Sequence, residues 1–263
     1  MNIELNLPAH PQTLIQLGEL LRKPDLNLSD VSQLIEKDLS LAAAVMNTVI
    51  SPLYGLKGRV QSVQQAVTFL GVREISAIAY ETGLRSAFPQ VPELHAVWER
   101  ARMRGMLMGR MAQALSMEAW SAHTAGLFEE CGKAVLYANA PDVYLPLLKN
   151  AVNDGALVEL EQKAFGVDHA EVGARLCESW GLPAATVNSV RHHVMTNLTH
   201  RLPQVSHRYV CVLSTLADTL MSAPDELEQV VSKVAPQAMM DQTSLLRNLH
   251  RVKDKIDDTL ANG

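Results

Sequence analysis

"SVQQAVTFLG", residues 62–71, sets Val63, Ala66, Val67 and Leu70 at i, i+3, i+4 and i+7. That spacing gathers four apolar side chains on one face of a 3.6-residue helix. Ser62 occupies the N-cap position and Gly71 the stop. The same period spreads outward from this segment. "SDVSQLIEKD" (29–38) carries Val31, Leu34 and Ile35, and "SLAAAVMNTVI" (40–50) carries Leu41, Ala44 and Val45. "ELHAVWERARMRGMLMGRMAQAL" (93–115) reads as one long helix with an arginine-rich face. "DHAEVGARLCESWGLP" (168–183) opens with an Asp cap, aligns Val172, Leu176 and Trp180, and ends at Gly181 and Pro183. Further helices are expected over "LFEECGKAVL" (127–136), from Asp142, near 158–165, and after Pro183, whose missing N–H costs nothing in a first turn. No alternating strand of useful length is present, so the expected fold is all-α, with about a dozen helices.

Prolines and a glutamine interrupt the pattern in "SAFPQVPEL" (86–94), and "MSAPDE" (221–226) breaks it again. The expected organisation is an N-terminal helical lobe over 1–90, a second lobe over 91–222 and a C-terminal helical extension over 223–263. In the extension, Leu245, Leu249, Val252, Ile256 and Leu260 form a stripe. It would dock on its own domain or, in the competing reading, pair with a second copy.

Composition narrows the function classes. The 263 residues are 48% hydrophobic and 19% charged, with net charge −5 and a pI of about 6.0. That acidity argues against a nucleic-acid partner, and 5% aromatic content leaves little material for base stacking. Cys131, Cys177 and Cys211 lie far apart in apolar stretches and are expected to be buried thiols in a reducing cytoplasm. The N-terminus shows no signal-peptide pattern, and no run approaches the ~18 apolar residues of a membrane span.

No GxSxG elbow, Walker A loop or GxGxxG is present. The chemistry-bearing groups are histidines, carboxylates and arginines placed on helices. Glu129 and Glu130 interrupt an otherwise buried helix, flanked by Gly126 and Gly132. Either Glu129 bridges Lys133 at i, i+4 on a solvent face, or the pair belongs to a site and needs a buried cation. His169 follows Asp168 at a helix start, His192 and His193 are neighbours, and Asp218 lies in "LSTLADTL". Such groups could assemble a metal site in space, although adjacent histidines point about 100° apart, so one of His192 and His193 at most can face an ion. Arg100 and Arg104 share a helix face at i, i+4. They would be solvated, paired with acids, or placed to contact phosphate.

Several of these stretches, in order, resemble the HDOD family, a branch of the HD-domain superfamily of bacterial signalling proteins. "SPLYGLKGRVQSVQQAVTFLGVREI" (51–75) is similar to the family's N-terminal signature through Ser51, Tyr54–Gly55, Ala66 and Leu70–Gly71, with Ile50 where Asn is usual. "TAGLFEECGKAVL", "DHAEVGARLCESWGLP" and "VRHHV" follow at similar spacing, so the likeness spans most of 8–220. It implies a multi-helical HD-domain-like bundle with an N-terminal helical lobe. In catalytic relatives an adjacent His-Asp dyad binds metal where this chain has Glu129 and Glu130, and an upstream histidine falls where Arg100 stands. The resemblance therefore implies a non-catalytic module, without metal or cofactor, that binds a signalling protein or small signalling ligand in a cleft between lobes. Arg100, Arg104, Glu129, Glu130, His169, His192, His193 and Asp218 are its candidate site residues. The competing expectations are a metal-dependent phosphohydrolase using Glu130, His169, His193 and Asp218, and a nucleotide or RNA binder using the arginine helix.

Overall fold

The computed structural model describes residues 5–21, 23, 25–50 and 56–261, with side chains as far as Lys253. Ser51, Tyr54 and Gly55 of the N-terminal signature, and the side chains of Ile256 and Leu260, lie outside the described residues. Every regular element among those described is helical. The chain divides into two compact units, Ala9–Gln90 with Lys255–Gly263, and Met1–Pro8 with Val91–Asp254. Residues 223–254 thus belong to the larger unit.

The smaller unit contains α1 (Gln12–Leu20), α2 (Leu28–Glu36), α3 (Leu39–Val49), α4 (Val63–Leu70) and α5 (Val72–Ser86). Local chemistry sets their starts. Asn27, Asp38 and Ser62 each accept a backbone N–H of the first turn, satisfying donors that a helix start leaves unpaired. Gly71 joins α4 to α5 at φ 84°, a conformation that a side chain would strain. Val31, Ile35, Val45, Val63, Ala66 and Val67 are buried, as the periodicity requires.

The larger unit runs through α6 (His95–Ala114), α7 (Ala119–Phe128), α8 (Cys131–Asn139), α9 (Pro141–Asn150), α10 (Asp154–Phe165), α11 (His169–Ser179), α12 (Ala184–Thr199), α13 (Tyr209–Ser222), α14 (Leu227–Val234) and, as far as Asp254, α15 (Gln242–Ala261). Its core gathers Phe128, Val135, Leu136, Val172, Leu176, Val190, Leu213 and Leu216, all buried. Phe128 meets Trp180 edge-on at 5.7 Å, and the Trp180 indole N–H donates to the Pro8 carbonyl. The three cysteines are buried and free. Leu245, Leu249 and Val252 are also buried, so the described part of the C-terminal stripe packs within the chain.

One expectation needs correcting. Glu129 and Glu130 do not interrupt a single helix; they form the turn between α7 and α8. Their side chains therefore leave from a helix junction, where both can turn inward. Glycines determine how closely the neighbouring helices approach that junction. A Cβ on Gly126 would lie 2.7 Å from the Arg104 carbonyl carbon, and one on Gly132 would lie 1.9 Å from the His169 oxygen. Bare backbone at these two points lets α6 and α11 close on either side of the glutamates.

Candidate functional site

Arg104 is fully buried, a location with no tolerance for an unpaired guanidinium. The bulk of α6 beside Gly126 aims its side chain at Glu129 of the α7–α8 turn. Its Nε donates to Glu129 Oε2 at 2.8 Å, and its Nη2 donates to the same oxygen. Nη1 reaches Asp218 Oδ1 on α13 at 2.8 Å, and Nη2 also reaches the Ser214 hydroxyl at 3.2 Å. The second Glu129 oxygen accepts the Ser189 hydroxyl of α12 at 2.7 Å. Burial opposes the charge on Arg104, but Glu129, Asp218 and Glu130 more than offset it and raise its pKa above the ordinary value.

Arg100 lies one helical turn earlier and serves the other glutamate. Its Nε donates to Glu130 Oε1 at 2.9 Å, and its Nη2 bridges Asp154 Oδ2 and Asp218 Oδ1 at 3.1 and 3.0 Å. Lys133 completes the set, donating to Glu130 Oε2 and Asp154 Oδ1 at 2.7 Å each. Burial alone would raise Glu130, yet Lys133, Arg100 and Arg104 bring its pKa to about 2. The same reversal holds Asp154 well below the usual carboxylate range, with Lys133 the main stabilising charge. Three cations thus face four carboxylates in one connected network.

These contacts remove two expectations. Lys133 is buried and pairs with Glu130 and Asp154, so no solvent-side Glu129–Lys133 bridge forms. Nor is Arg104 on a solvated face, being fully buried, and carboxylates engage both its guanidinium and that of Arg100, whose side chain is one-third exposed. Arg102, on the same helix, pairs instead with Glu99 at i, i+3.

The histidines form an adjoining layer. His169 Nδ1 and its backbone N–H both meet Glu161 Oε2 at 2.8 Å, and Tyr144 donates its hydroxyl to Glu161 Oε1 at 2.7 Å. His193 Nδ1 lies 2.7 Å from the Val190 carbonyl, an acceptor that fixes the proton on Nδ1. The two imidazoles meet edge to face at 5.4 Å. His192 projects from another face of α12, half-buried, and does not join them. Seven of the eight candidate residues therefore come together and His192 does not.

Sequence reasoning missed Asp154, Glu161, Tyr144, Ser189 and Ser214. Glu161 carried a legible signal: Leu157, Glu161 and Phe165 fall at i, i+4, i+8, a carboxylate inside an apolar stripe. Asp154 resembled an ordinary first-turn acid, a position that the helix dipole explains without further partners.

The metal expectation can be tested on the donor set. One ring nitrogen each of His169 and His193 and an Asp154 oxygen lie within 4.8 Å of one another. Neither Nε2 has a hydrogen-bond partner among the described residues, and each ring is oriented through its other nitrogen, as metal-bound histidines are. The remaining groups oppose an ion. Both Asp154 oxygens already hold cations, Lys133 and Arg100, and a guanidinium fills the space beside Glu129. A divalent ion would have to displace these charges or stand against them. As a whole the residues do not fit a resident metal.

Burial lowers His193 from 6.5 to about 4, and the Arg104 and His169 charges act in the same direction. The unfolded chain therefore binds the extra proton between those two values, and stability falls as pH drops through that window. The expected slope is up to ~1.4 kcal/mol per pH unit. Urea midpoints at several pH values check it, with His193→Asn expected to flatten the dependence.

A sequence model of the HDOD domain matches residues 7–195. An uncharacterised protein of Treponema pallidum (strain Nichols) is 27% identical over 216 residues, or 81% of this chain; the chain spans only 41% of that relative. Among solved structures, an HDOD domain protein of unknown function from Geobacter sulfurreducens superposes with TM-score 0.74 at 18% identity, covering 97% of this chain and 93% of the other. A protein from Marinobacter aquaeolei VT8, assigned provisionally to signal transduction, gives 0.75 at 22% identity, covering 97% of this chain and 58% of that one. A provisional phosphohydrolase from Shewanella amazonensis SB2B gives 0.68 at 20%, covering 97% and 95%. At these identities the structural likeness speaks for the fold.

Proposed function

Since the chain belongs to the HDOD domain family, we propose that it is a non-catalytic module of bacterial signal transduction that binds a partner protein or a small signalling ligand. The observation that carries this reading is the buried network of Arg100, Arg104 and Lys133 against Glu129, Glu130, Asp154 and Asp218. In a phosphohydrolase centre a divalent ion would supply positive charge to activate water. Here side-chain cations supply it, each bound to carboxylates and none able to generate a hydroxide nucleophile. Arginine does not release its proton in this environment, so it offers no general base either.

What such a centre does supply is rigidity. Six elements, α6, the α7–α8 turn, α8, α10, α12 and α13, are tied by charge-assisted hydrogen bonds through Arg100, Arg104, Lys133, Asp154, Ser189 and Asp218. Half-satisfied buried polar networks are unfavourable, so this arrangement specifies one packing of those helices. The module presents a surface whose shape is held from inside, which suits recognition. The provisional signalling assignment of the Marinobacter aquaeolei protein agrees with this reading, and that of the Shewanella amazonensis protein favours the competing hydrolase reading.

The two are separated by turnover. Protein supplied with Mn2+, Fe2+ or Zn2+ is expected to hydrolyse neither phosphomonoesters nor phosphodiesters above the buffer rate. Metal-dependent hydrolysis that disappears in His169→Gln would make the phosphohydrolase reading correct.

A further inference from the structure

The smaller unit holds a cavity of about 460 Å³ bounded by α1, α3 and α5. That volume falls within the range of sites for small organic molecules, ~300–1,000 Å³. Its walls combine two chemistries. Leu14, Leu41 and Ile78 are buried and give an apolar floor. Gly83 permits that floor to form, because a Cβ there would lie 2.6 Å from Leu14 Cδ2. Around it stand hydroxyls and three charged groups, the carboxylates Asp38 and Glu81 and the single cation Arg85.

Asp38 is the group with capacity to spare. Its Oδ1 accepts the Leu41 backbone N–H at 3.0 Å, and its Oδ2 accepts the Thr13 hydroxyl at 3.1 Å. Both donors are neutral, and no ion pair involving Asp38 occurs among the described residues. A carboxylate offers about four lone-pair directions, so roughly half of its accepting capacity remains. The hydroxyls nearby are less available: Thr48 and Ser86 already donate to the Ala44 and Gly83 carbonyls. The wall therefore pairs an apolar floor with a partly buried carboxylate that no cationic side chain of the described residues pairs with.

We propose that this cavity binds a small molecule carrying an ammonium group on an apolar body, with Asp38 accepting from the ammonium and Leu14, Leu41 and Ile78 covering the hydrocarbon. The Asp38 carboxylate, met only by neutral donors among the described residues, favours a cation over an anion of the same shape. The site lies wholly in the smaller unit and does not depend on the Arg–Glu network of the larger one.

The test is a titration of the full chain with hexylammonium, hexanoate and hexanol, followed by amide chemical shifts. Hexylammonium is expected to saturate and to shift amides of α1, α3 and α5, with hexanoate and hexanol weaker by about tenfold or more, the value of one charge-assisted hydrogen bond. Asp38→Asn keeps a competent N-cap, so the fold is retained, and it should erase the preference for the cation. Ala44→Leu narrows the cavity and should weaken all three probes. Equal binding of the three compounds, an unchanged preference in Asp38→Asn, shifts confined to other helices, or no saturable hexylammonium binding would each overturn the proposal.

Discussion

Arg104→Met is expected to destabilise the protein by ~3–5 kcal/mol, because it leaves a buried carboxylate without its partner. Glu129 is fully buried and takes two hydrogen bonds from Arg104 on one oxygen. With the guanidinium gone, only the Ser189 hydroxyl remains to it among those contacts. Methionine fills a similar hydrophobic volume, so the loss reads the stranded charge rather than a cavity. Asp218 loses a partner too, but its side chain is 23% exposed and water can replace the bond. Neutralising the stranded group should therefore recover most of the loss. Arg104→Met combined with Glu129→Gln is expected to lie within ~1–2 kcal/mol of the parent, giving a strong favourable coupling between the two substitutions. Urea denaturation of the four proteins closes the cycle. A single substitution costing under ~1 kcal/mol, with additive behaviour in the double, would falsify the buried-pair account.

Gly132→Ala is the second large effect, and its origin is steric. The added methyl would lie 1.9 Å from the His169 carbonyl oxygen, 2.7 Å from the carbonyl carbon and 2.8 Å from the Gly173 nitrogen. All three are backbone atoms at the α8–α11 contact, so no rotamer change relieves the clash. The helices must separate, opening the layer that holds Lys133 on one side and His169 on the other. Overpacking a core ordinarily costs ~1–3 kcal/mol, and an obstacle made of α11 backbone, which cannot rotate away, exceeds that range. The expected result is loss of most soluble, cooperatively folding protein. Gly105→Ala is the matched control, since its nearest contact is the His123 oxygen at 3.1 Å. If Gly132→Ala unfolds at the same urea concentration as Gly105→Ala, the close approach of α8 and α11 is wrong.

These two residues show how far the sequence could be read. The helices were legible because their signals are local: Ser62, Asp168 and the i, i+3, i+4 stripes act within one or two turns. The need of Glu129 or Glu130 for a buried cation follows from elementary electrostatics, and Arg100 supplies it to Glu130. The partner of Glu129, however, is Arg104, one turn further along the same helix. Choosing between them requires the register of α6 against α7, which the Gly126 contact sets and which no spacing within α6 reveals. Asp154 and Ser214 lie 21 and 110 positions away in the chain from the cations they meet and carry no local mark of their role. The break between α7 and α8 was hidden for a different reason. "LFEECGKAVL" contains no proline, and its single glycine is too weak a breaker to mark a turn at Glu129 and Glu130.

The central claim is that side-chain cations occupy the charge position of a metal centre. The most direct measurement is elemental analysis of protein purified without chelator, read together with its thermal midpoint before and after EDTA. The account predicts Mn, Fe, Zn, Co and Ni far below one equivalent and an unchanged midpoint. One equivalent of any of them, removed by EDTA with a fall in midpoint and absent from His169→Gln and His193→Asn, would contradict it.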